Sequence, residues 1–313
     1  MTTWKVLITD GLSDKGISIL SSAAQVDNKP DISADDLLKV AGEYDAMVVR
    51  GRTKVTLAVF DAAKRLKVVG RAGVGVDHID LTAARGHSVT VVNAPKSTSL
   101  AVAELALGMM FALARMVPKA DATMKQGQWI KKQLEGIELN GKTLGIVGMG
   151  NIGTALARRA AGLGMKVIGF DTLVPPEEIK KRGAEPLALA DLYAQSDFIS
   201  FHLPLTPESK GMVNGQTLAQ MKRGVRIVDA ARGGIIDETA LLAAIESGQV
   251  AAAALDVYAT EPPGLTALVA HPNVVATPHI GAQTEEAQDR AAEDIASEVL
   301  TALRGEPLRW KIA

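Results

Sequence analysis

The sequence contains no cysteine among its 313 residues. This absence excludes disulfide bonds, thiolate metal ligands and cysteine nucleophiles from the chemistry of the chain. It is consistent with a reducing compartment, and we expect no metal ion in the functional site. The hydrophobic content of 47% is ordinary for a packed globular protein, and the length suggests about two domains.

The chain also has almost no net charge and no long hydrophobic run. Thirty-four Lys and Arg residues oppose 35 Asp and Glu residues, which leaves a net charge of −1. No global field therefore favours a nucleic acid or a membrane as partner. The longest apolar stretch, residues 105–117, contains Arg115 and is too short to span a bilayer. The N-terminus lacks the features of a signal peptide, so we expect a soluble, cytoplasmic protein.

The strongest local motif lies in residues 142–171. Residues 143–147 predict a buried parallel strand, which a G-x-G-x-x-G sequence and a helical run to residue 162 follow directly. A second strand, residues 166–170, ends on an acidic residue. This order is typical of a dinucleotide-binding unit, although an isolated glycine pattern is often only a turn. The predicted cofactor-binding residues are Gly148, Gly150, Asn151, Ile152, Gly153 and Asp171.

Each residue type in this motif has a physical reason. Gly148 allows the tight turn, Gly150 lets the backbone approach a pyrophosphate, and Gly153 lets helix and strand pack closely. The pyrophosphate is expected at the helix N-terminus, where free N–H groups and the helix dipole favour negative charge. Asp171 is expected to accept hydrogen bonds from ribose hydroxyls and would repel a 2′-phosphate. The motif therefore predicts NAD rather than NADP.

Alternating strands and helices on both sides of this motif predict parallel sheets with right-handed crossovers. An Ala-, Leu- and Met-rich pattern over residues 97–124 predicts one buried helix, between domains or at a dimer interface. The predicted strands outside the motif are residues 5–9, 46–50, 67–71, 89–92, 198–202, 225–229, 251–257 and 274–277. The predicted helices are residues 34–41, 57–65, 81–85 and 285–303.

Three chemically suitable residues follow predicted strands in the second half of the chain: Arg232, Glu261 and His279. The carboxyl ends of the strands are where ligands bind in open α/β sheets. An Arg can hold a carboxylate and a neighbouring oxo group, and a His can take a hydroxyl proton as hydride leaves. A Glu beside that His favours its protonated form. The alternatives are that Arg232 forms a surface ion pair, that Glu261 is a solvated loop acid and that His279 is a capping residue.

At this point the chain resembles the D-2-hydroxyacid dehydrogenase family, most closely its phosphoglycerate dehydrogenase branch. The matching stretches keep the family's order along nearly the whole chain. They are residues 49–56 (VRGRTKVT), 69–77 (VGRAGVGVD), 93–95 (NAP), 141–153 (GKTLGIVGMGNIG), 231–238 (ARGGIIDE), 254–258 (ALDVY), 261–263 (EPP) and 277–282 (TPHIGA).

The resemblance implies an α/β fold of two Rossmann-like or flavodoxin-like domains with parallel sheets. Residues 1–95 and 283–313 are expected to form the substrate domain, and the inserted residues 96–282 the NAD-binding domain. Residues 97–124 are expected to build a homodimer, and the end of the chain at residue 313 implies a short form without a C-terminal regulatory domain.

The resemblance also implies roles for single residues. Arg232, Glu261 and His279 form the catalytic set, with His279 as the acid/base group. Asp256 is expected to face the nicotinamide carboxamide. Further residues expected to line the cofactor cleft are Pro204, Ala230 and Gly281.

The sequence says less about the residues that bind the substrate. The resemblance implies that the backbone of Gly73 and Val74 holds the substrate carboxylate. Arg50 and Arg52 suit a distal phosphate, and Lys131 resembles a position that reaches across a dimer; the alternative for all three is a solvated basic face.

Two positions depart from the family pattern. Residues 96–99, which begin with Lys96, replace the family's usual Gly-Asn pair and could bind a phosphate, a sulfonate or a second carboxylate. Asp229 stands where the family has Asn, close to the expected cofactor site.

The resulting hypothesis is an NAD-dependent oxidation of 3-phospho-D-glycerate to 3-phosphohydroxypyruvate, which feeds serine synthesis. One alternative is a dehydrogenase or reductase of another small 2-hydroxy acid, of the hydroxypyruvate/glyoxylate or sulfolactate type. A third is a non-enzymatic NAD-sensing protein like the corepressor branch of the family. Turnover of any 2-hydroxy acid would eliminate the third.

Overall fold

The computed structural model describes residues 4–313, which form two compact units. The first, here called the split domain, comprises the chain up to Ser99 together with Ala282–Ala313. The second, here called the inserted domain, comprises Leu100–Gly281. The boundaries expected from the sequence were 95/96 and 282/283.

Strands and helices alternate along the described chain. The strands are β1 (Trp4–Ile8), β2 (Ala24–Asn28), β3 (Ala46–Val49), β4 (Val68–Arg71), β5 (Thr90–Asn93), β6 (Thr143–Val147), β7 (Lys166–Phe170), β8 (Glu185–Pro186), β9 (Phe198–Phe201), β10 (Val225–Asp229), β11 (Val250–Leu255) and β12 (Val274–Ala276). The α-helices are α1 (Asp14–Ser21), α2 (Ala34–Val40), α3 (Leu57–Ala62), α4 (Leu81–Gly86), α5 (Ser99–Arg115), α6 (Val117–Lys125), α7 (Asn151–Gly162), α8 (Pro176–Lys181), α9 (Leu189–Gln195), α10 (Gly215–Gln220), α11 (Glu238–Glu246) and α12 (Glu285–Arg304).

Each domain is built on one parallel sheet, so the predicted fold class is confirmed. The split domain has five strands in the order β2-β1-β3-β4-β5, and the inserted domain has seven in the order β12-β11-β10-β9-β6-β7-β8. These are the flavodoxin-like and Rossmann orders, the second extended by one strand. The strand order reverses between β1 and β3 in one sheet and between β6 and β9 in the other. Ligands of such sheets bind outside the carboxyl ends of the strands at these points.

Helices cover both faces of each sheet. In the split domain, α12 contributes the buried Ile295 and Val299 to one face, and α3 contributes Phe60 to the other. In the inserted domain, Leu156 of α7 and Leu241 of α11 lie in the cores on opposite faces. Burial on both faces explains why the central strands read as continuous apolar runs rather than alternating ones.

The C-terminal segment of the chain is fixed against the split domain. Glu298 of α12 is 1% exposed, and its carboxylate accepts hydrogen bonds from the backbone N–H groups of Arg309 (3.0 Å) and Trp310 (3.2 Å). The guanidinium Nε of Arg309 donates to the same carboxylate over 2.9 Å. Beyond it, the N–H of Ile312 donates to the carbonyl of Val91 in β5 (2.8 Å).

The prediction of one buried helix over residues 97–124 is wrong. The chain breaks at Met116, which adopts a left-handed φ of 51°, and Pro118 lies in the first turn of α6. The axes of α5 and α6 differ by 65°, and α6 contains no buried residue. Within residues 4–313 no single helix is long and apolar enough to cross a membrane, although this bent pair reaches the required length and composition together.

Candidate active site

The glycine loop between β6 and α7 has the geometry of a pyrophosphate site. Gly148 has a φ of +100°, and a Cβ at this position would collide with the carbonyl of His202 at the end of β9. A Cβ on Gly153 would likewise collide with the carbonyl of Gly148. Gly150 has no atom within 4 Å of where its Cβ would stand, and no side chain caps α7. An anion is favoured at this helix terminus, because the first N–H groups of a helix have no partner within the helix and lie at the positive end of its dipole.

Asp171 connects this loop to the end of β7. Its carboxylate accepts hydrogen bonds from the backbone N–H groups of Met149 (2.7 Å), Leu173 (2.8 Å) and Val174 (3.1 Å). Two of these bonds share Oδ1, so an acceptor position remains on Oδ2 for a ribose hydroxyl. The predicted cofactor contact is therefore compatible with a second function of Asp171, which is to hold the glycine loop.

The end of β9 forms the other side of this loop. His202 contacts the hydroxyl of Ser200 over 2.9 Å, and burial lowers the pKa of His202 to about 4. Its ring is therefore neutral around pH 7 and is a poor proton acceptor. The exposed Pro204 follows, and its carbonyl accepts a hydrogen bond from the hydroxyl of Ser209 (2.7 Å).

Asp256 organises the loop after β12. Its side chain is fully buried and accepts hydrogen bonds from Oγ1 of Thr277 (2.6 Å) and from the N–H groups of Ile280 (2.8 Å) and Gly281 (2.8 Å). The carboxylate thereby fixes the segment on both sides of His279. Because no part of Asp256 is exposed, its contact with a nicotinamide carboxamide stays a prediction.

His279 and Glu261 are in direct contact, as a proton-transfer pair requires. Nδ1 of His279 lies 2.8 Å from Oε2 of Glu261, and Oε1 of Glu261 accepts from the N–H of Tyr258 (3.1 Å). The two side chains are 48% and 37% exposed, so a substrate can reach them. His279 has a φ of 54°, a left-handed conformation that is costly for a residue with a Cβ.

Arg232 lies in the turn after β10. This turn packs against the loop that carries Glu261, because a Cβ on Gly233 would collide with the carbonyl of Tyr258. Tyr258 in turn bonds to Glu261 through its N–H, and Glu261 bonds to His279. The three residues that the sequence singled out therefore lie in loops that touch one another at the carboxyl end of the inserted sheet. Ala230, 8% exposed, lies in the same turn.

In the split domain, Arg50 follows β3 at the point where the strand order reverses. Its N–H donates to Oδ2 of Asp10 (2.8 Å), and its Nη2 lies 3.4 Å from Oε1 of Gln283. Burial lowers the pKa of Arg50, and the charge of Asp10 opposes this shift. Asp10 also accepts from the N–H of Thr53 (3.1 Å) and so holds the whole turn after β3. Arg50 is thus presented on a fixed turn.

Arg52 differs from Arg50 because the protein already uses its donors. Its guanidinium donates to the carbonyls of Thr9 (2.6 Å), Pro30 (2.5 Å) and Ile32 (3.0 Å), and lies 3.3 Å from Asp10. The side chain ties three loops of the split domain together. Of the two predicted phosphate ligands, Arg50 therefore has the more available guanidinium.

Backbone groups of the glycine turn after β4 are also hydrogen-bonded within the protein. The N–H of Gly73 donates to the carbonyl of Arg71 (2.8 Å), so it does not point freely at a ligand. The carbonyl of Val74 accepts from Nδ2 of Asn93 (2.7 Å). A Cβ on Gly73 would meet the guanidinium of Arg71, a cation that the sequence analysis did not select.

The remaining predicted basic residues are exposed. Lys96 begins a loop in which the side chains of residues 97–99 are buried, and Nε of Arg290 donates to the carbonyl of Ser97 (3.0 Å). Lys131 lies on a short exposed 3₁₀-helix, Lys131–Gln133, of the inserted domain. No group of three His, Asp and Glu residues within residues 4–313 is arranged to hold a metal ion.

Several residues that position the site escaped sequence reasoning. Asp10, Arg71, Tyr258 and Thr277 act through hydrogen bonds or close packing to neighbouring loops. Asp10 and Thr277 directly follow strands, and that position was the available signal. Tyr258 was marked only as the last residue of the matching stretch 254–258, which assigned it no role.

The inserted domain, with this glycine loop and these strand-end residues, defines a nicotinamide-dependent class of protein. Residues 107–281 match the sequence model described as the NAD binding domain of D-isomer specific 2-hydroxyacid dehydrogenases. The chain belongs to this family. The predicted family and the predicted cofactor, NAD, are confirmed, and the glycine turn with Asp171 fits that cofactor.

Three relatives illustrate the similarity. The chain is 48% identical over 305 residues to the D-3-phosphoglycerate dehydrogenase of Pongo abelii, covering 97% of this chain and 57% of that protein. It is 45% identical over 303 residues to the D-3-phosphoglycerate dehydrogenase of Methanocaldococcus jannaschii, covering 96% and 58%. A glyoxylate reductase structure from Paecilomyes thermophila has a TM-score of 0.90 at 32% identity, covering 100% of this chain and 99% of that one. The chain spans little more than half the length of the two D-3-phosphoglycerate dehydrogenases.

Proposed function

We propose that this protein catalyses the NAD-dependent oxidation of 3-phospho-D-glycerate to 3-phosphohydroxypyruvate. The observation that carries the proposal is the 2.8 Å contact between His279 and Glu261, in loops that adjoin the turn of Arg232. A base, its acidic partner and a guanidinium are the groups that oxidation of a 2-hydroxy acid requires.

In the proposed reaction, Nε2 of His279 accepts the proton of the substrate hydroxyl, because its Nδ1 is already bonded to Glu261. The carboxylate of Glu261 stabilises the imidazolium that forms. Arg232 binds the carboxylate and the developing oxo group with its planar fork of donors. NAD supplies the hydride acceptor.

The identity of the substrate rests on two supports. Relatives with 45% to 48% identity carry the name D-3-phosphoglycerate dehydrogenase. In addition, the guanidinium of Arg50 is presented on the turn that Asp10 holds, while the donors of Arg52 bind backbone carbonyls. Arg50 is therefore our candidate for the phosphate, with Lys96 as a second cation.

One observation favours another small 2-hydroxy acid as the substrate. The structural similarity to a glyoxylate reductase extends over 99% of that chain. The loop that begins at Lys96 also departs from the family pattern where substrates are discriminated. A glyoxylate or hydroxypyruvate reductase is therefore the second candidate.

The test is an NAD reduction assay with a panel of acids: 3-phosphoglycerate, D- and L-2-hydroxyglutarate, glycerate, lactate and sulfolactate. We expect the highest kcat/KM with 3-phosphoglycerate. Replacement of Arg50 by Met should raise KM for 3-phosphoglycerate more than for glycerate, because only the first carries a phosphate. Equal or better turnover of an unphosphorylated acid by the native protein would refute the assignment, and no turnover of any acid would refute the enzyme class.

We further propose a homodimer through α5 and α6. Phe111, Val117 and Met124 on these helices are 42%, 54% and 55% exposed and line one groove together with Arg115 and Asp121. Opposite charges beside an apolar patch can pair with their own copies across a two-fold axis.

Sedimentation velocity tests the dimer. Phe111→Asp should convert it to monomers, whereas the control Leu265→Asp, at a residue that is 87% exposed outside this groove, should not. A native protein that sediments as a monomer, or a dimer that Phe111→Asp leaves intact, would contradict the proposed interface.

A further inference from the structure

Asp229 is a buried carboxyl group that caps the turn of Arg232. It is the last residue of β10 and is 2% exposed. Its Oδ1 accepts a hydrogen bond from the N–H of Ala231 (2.9 Å), and the carboxylate also bonds to the backbone of Arg232. The orientation of this turn therefore depends on the carboxyl group of Asp229.

A second buried carboxyl group lies at the neighbouring strand end. Asp256 is fully buried, and its N–H donates to the backbone carbonyl of Asp229 (2.8 Å). Asp256 receives three hydrogen bonds, from Thr277, Ile280 and Gly281. Two like charges at adjacent strand ends in a dry environment disfavour each other. Asp229 accepts fewer hydrogen bonds than Asp256, so less stabilises its negative charge.

Burial and the neighbouring groups together set the pKa of Asp229. Burial is the largest cause and raises the pKa of Asp229 to about 7; the charge of Asp256 adds to this shift, while Arg232 and the N–H of Ala231 oppose it. On the other side, β9 pairs with Asp229 through Phe201 and is followed by His202, whose pKa burial lowers to about 4. His202 is therefore uncharged where Asp229 changes its charge.

We propose that Asp229 is a positioning residue whose protonation sets how strongly Arg232 attracts the anionic group of the substrate. The inference rests on the proposed function, because it takes Arg232 as the residue that binds the substrate carboxylate. With Asp229 protonated, its side chain adds no negative charge beside the guanidinium of Arg232. Ionised Asp229 adds a negative charge in the same turn, so anion binding weakens as the pH rises through neutrality.

The experiment uses the NADH-loaded protein and oxamate, a 2-oxo acid analogue that does not titrate near neutral pH. His279→Gln serves as the background, since the acid/base group would otherwise add its own pH dependence. In this background the Kd for oxamate should rise about tenfold between about pH 6 and about pH 8.5. After the further change Asp229→Asn, which keeps an acceptor for the two N–H groups and cannot ionise, the Kd should be constant.

A purely structural cap predicts a different outcome, namely the same pH profile with and without Asp229. Equal profiles in the two variants, or a constant Kd in the His279→Gln protein, would overturn the inference. Failure of oxamate to bind the native NADH-loaded protein at any pH would instead overturn the proposed function. Calorimetry of the His279→Gln protein in two buffers of different ionisation enthalpy gives a second readout: it should show net proton uptake on oxamate binding near pH 7, and Asp229→Asn should abolish that uptake.

Folding stability provides an independent measurement. Because the pKa of Asp229 is higher in the folded than in the unfolded chain, the folded state binds this proton more tightly. Stability should therefore fall as the pH rises from about 4 to about 7, and Asp229→Asn should remove that part of the slope. An unchanged slope in Asp229→Asn would show that Asp229 does not titrate in this range and would refute the inference.

Discussion

His279 should be replaceable by glycine with little cost in stability and a large cost in turnover. Its φ of 54° places it in the left-handed region, where a Cβ is unfavourable by about 1–2 kcal/mol. The Asp256 bonds to Ile280 and Gly281 hold this conformation from one side. Thr277, which also bonds to Asp256, holds it from the other. The loop therefore imposes the strained backbone on whichever residue occupies position 279.

The comparison of His279→Ala with His279→Gly isolates the backbone. Both substitutions remove the imidazole and its contact with Glu261, so those losses cancel. Alanine retains the Cβ, while glycine relieves the strain but gains roughly 0.5–1 kcal/mol of conformational freedom in the unfolded chain. The glycine variant should therefore be more stable than the alanine variant by up to about 1 kcal/mol, or roughly 3 °C in Tm.

Turnover should respond to the imidazole alone. Loss of a general acid/base group typically costs about 10²–10⁴-fold in rate, which corresponds to roughly 3–5 kcal/mol of transition-state stabilisation. Both variants should lose kcat to this extent and retain the Kd for NADH, because the glycine loop is untouched. His271→Ala, at the other histidine of this part of the inserted domain, is the matched control and should keep full turnover.

The assays are steady-state NAD reduction, NADH fluorescence titration and urea unfolding. Turnover of either variant within about tenfold of the native rate would exclude His279 as the acid/base group. An alanine variant more stable than the glycine variant would refute the argument from backbone strain, whatever the activities.

Three further predictions concern other parts of the molecule. Gly148→Ala should raise the Kd for NADH at least about tenfold by fluorescence titration, because φ is +100° and the new Cβ meets a carbonyl, whereas Gly162→Ala, in open space, should not. Asp10→Asn should raise KM for 3-phosphoglycerate about tenfold and change kcat less than about threefold in steady-state assays, because it loosens the turn of Arg50. Glu298→Ala should lower the unfolding free energy by about 1–3 kcal/mol in urea while kcat well below Tm is unchanged, since it removes the buried acceptor of three hydrogen bonds that hold Arg309 and Trp310; a loss of kcat without a loss of stability would contradict it.

The sequence predicted best those elements in which composition and periodicity agree. β6, β7 and β10 begin and end at the predicted residues. β2 was not predicted, because its residues AQVDN contain little apolar character and lie at the edge of the sheet. Edge strands need bury only part of their surface, so pattern alone does not distinguish them from loops.

The break between α5 and α6 shows a different limit. Ala, Leu and Met favour helix on both sides of Met116, so summed propensity predicts one continuous helix. Pro118 lies in the first turn of the second helix, a position where proline is well tolerated. The same residue is therefore a helix start rather than a helix defect, and only the backbone of Met116 distinguishes the two.

The sequence predicted which residues form the site but not the contacts that their side chains make. Arg232, Glu261 and His279 were found because each follows a strand in a sheet whose strand ends bind ligands. Which of the two arginines after β3 has an available guanidinium was not predictable. The carbonyls that occupy Arg52 come from the loops at Thr9, Pro30 and Ile32, and their convergence is a property of the folded sheet.

Four aspartates give these strand ends a common design. Asp10, Asp171, Asp229 and Asp256 each lie at or just after the carboxyl end of a strand, and each carboxylate accepts backbone N–H groups of adjoining segments. A carboxylate is suited to this because it can accept several hydrogen bonds in fixed directions. The loops that carry Arg50, the glycine turn, Arg232 and His279 are thus each bonded to a carboxyl group at a strand end. Removing one such charge should alter one ligand contact and leave the fold intact, and Asp229 is the one whose charge changes with pH near neutrality.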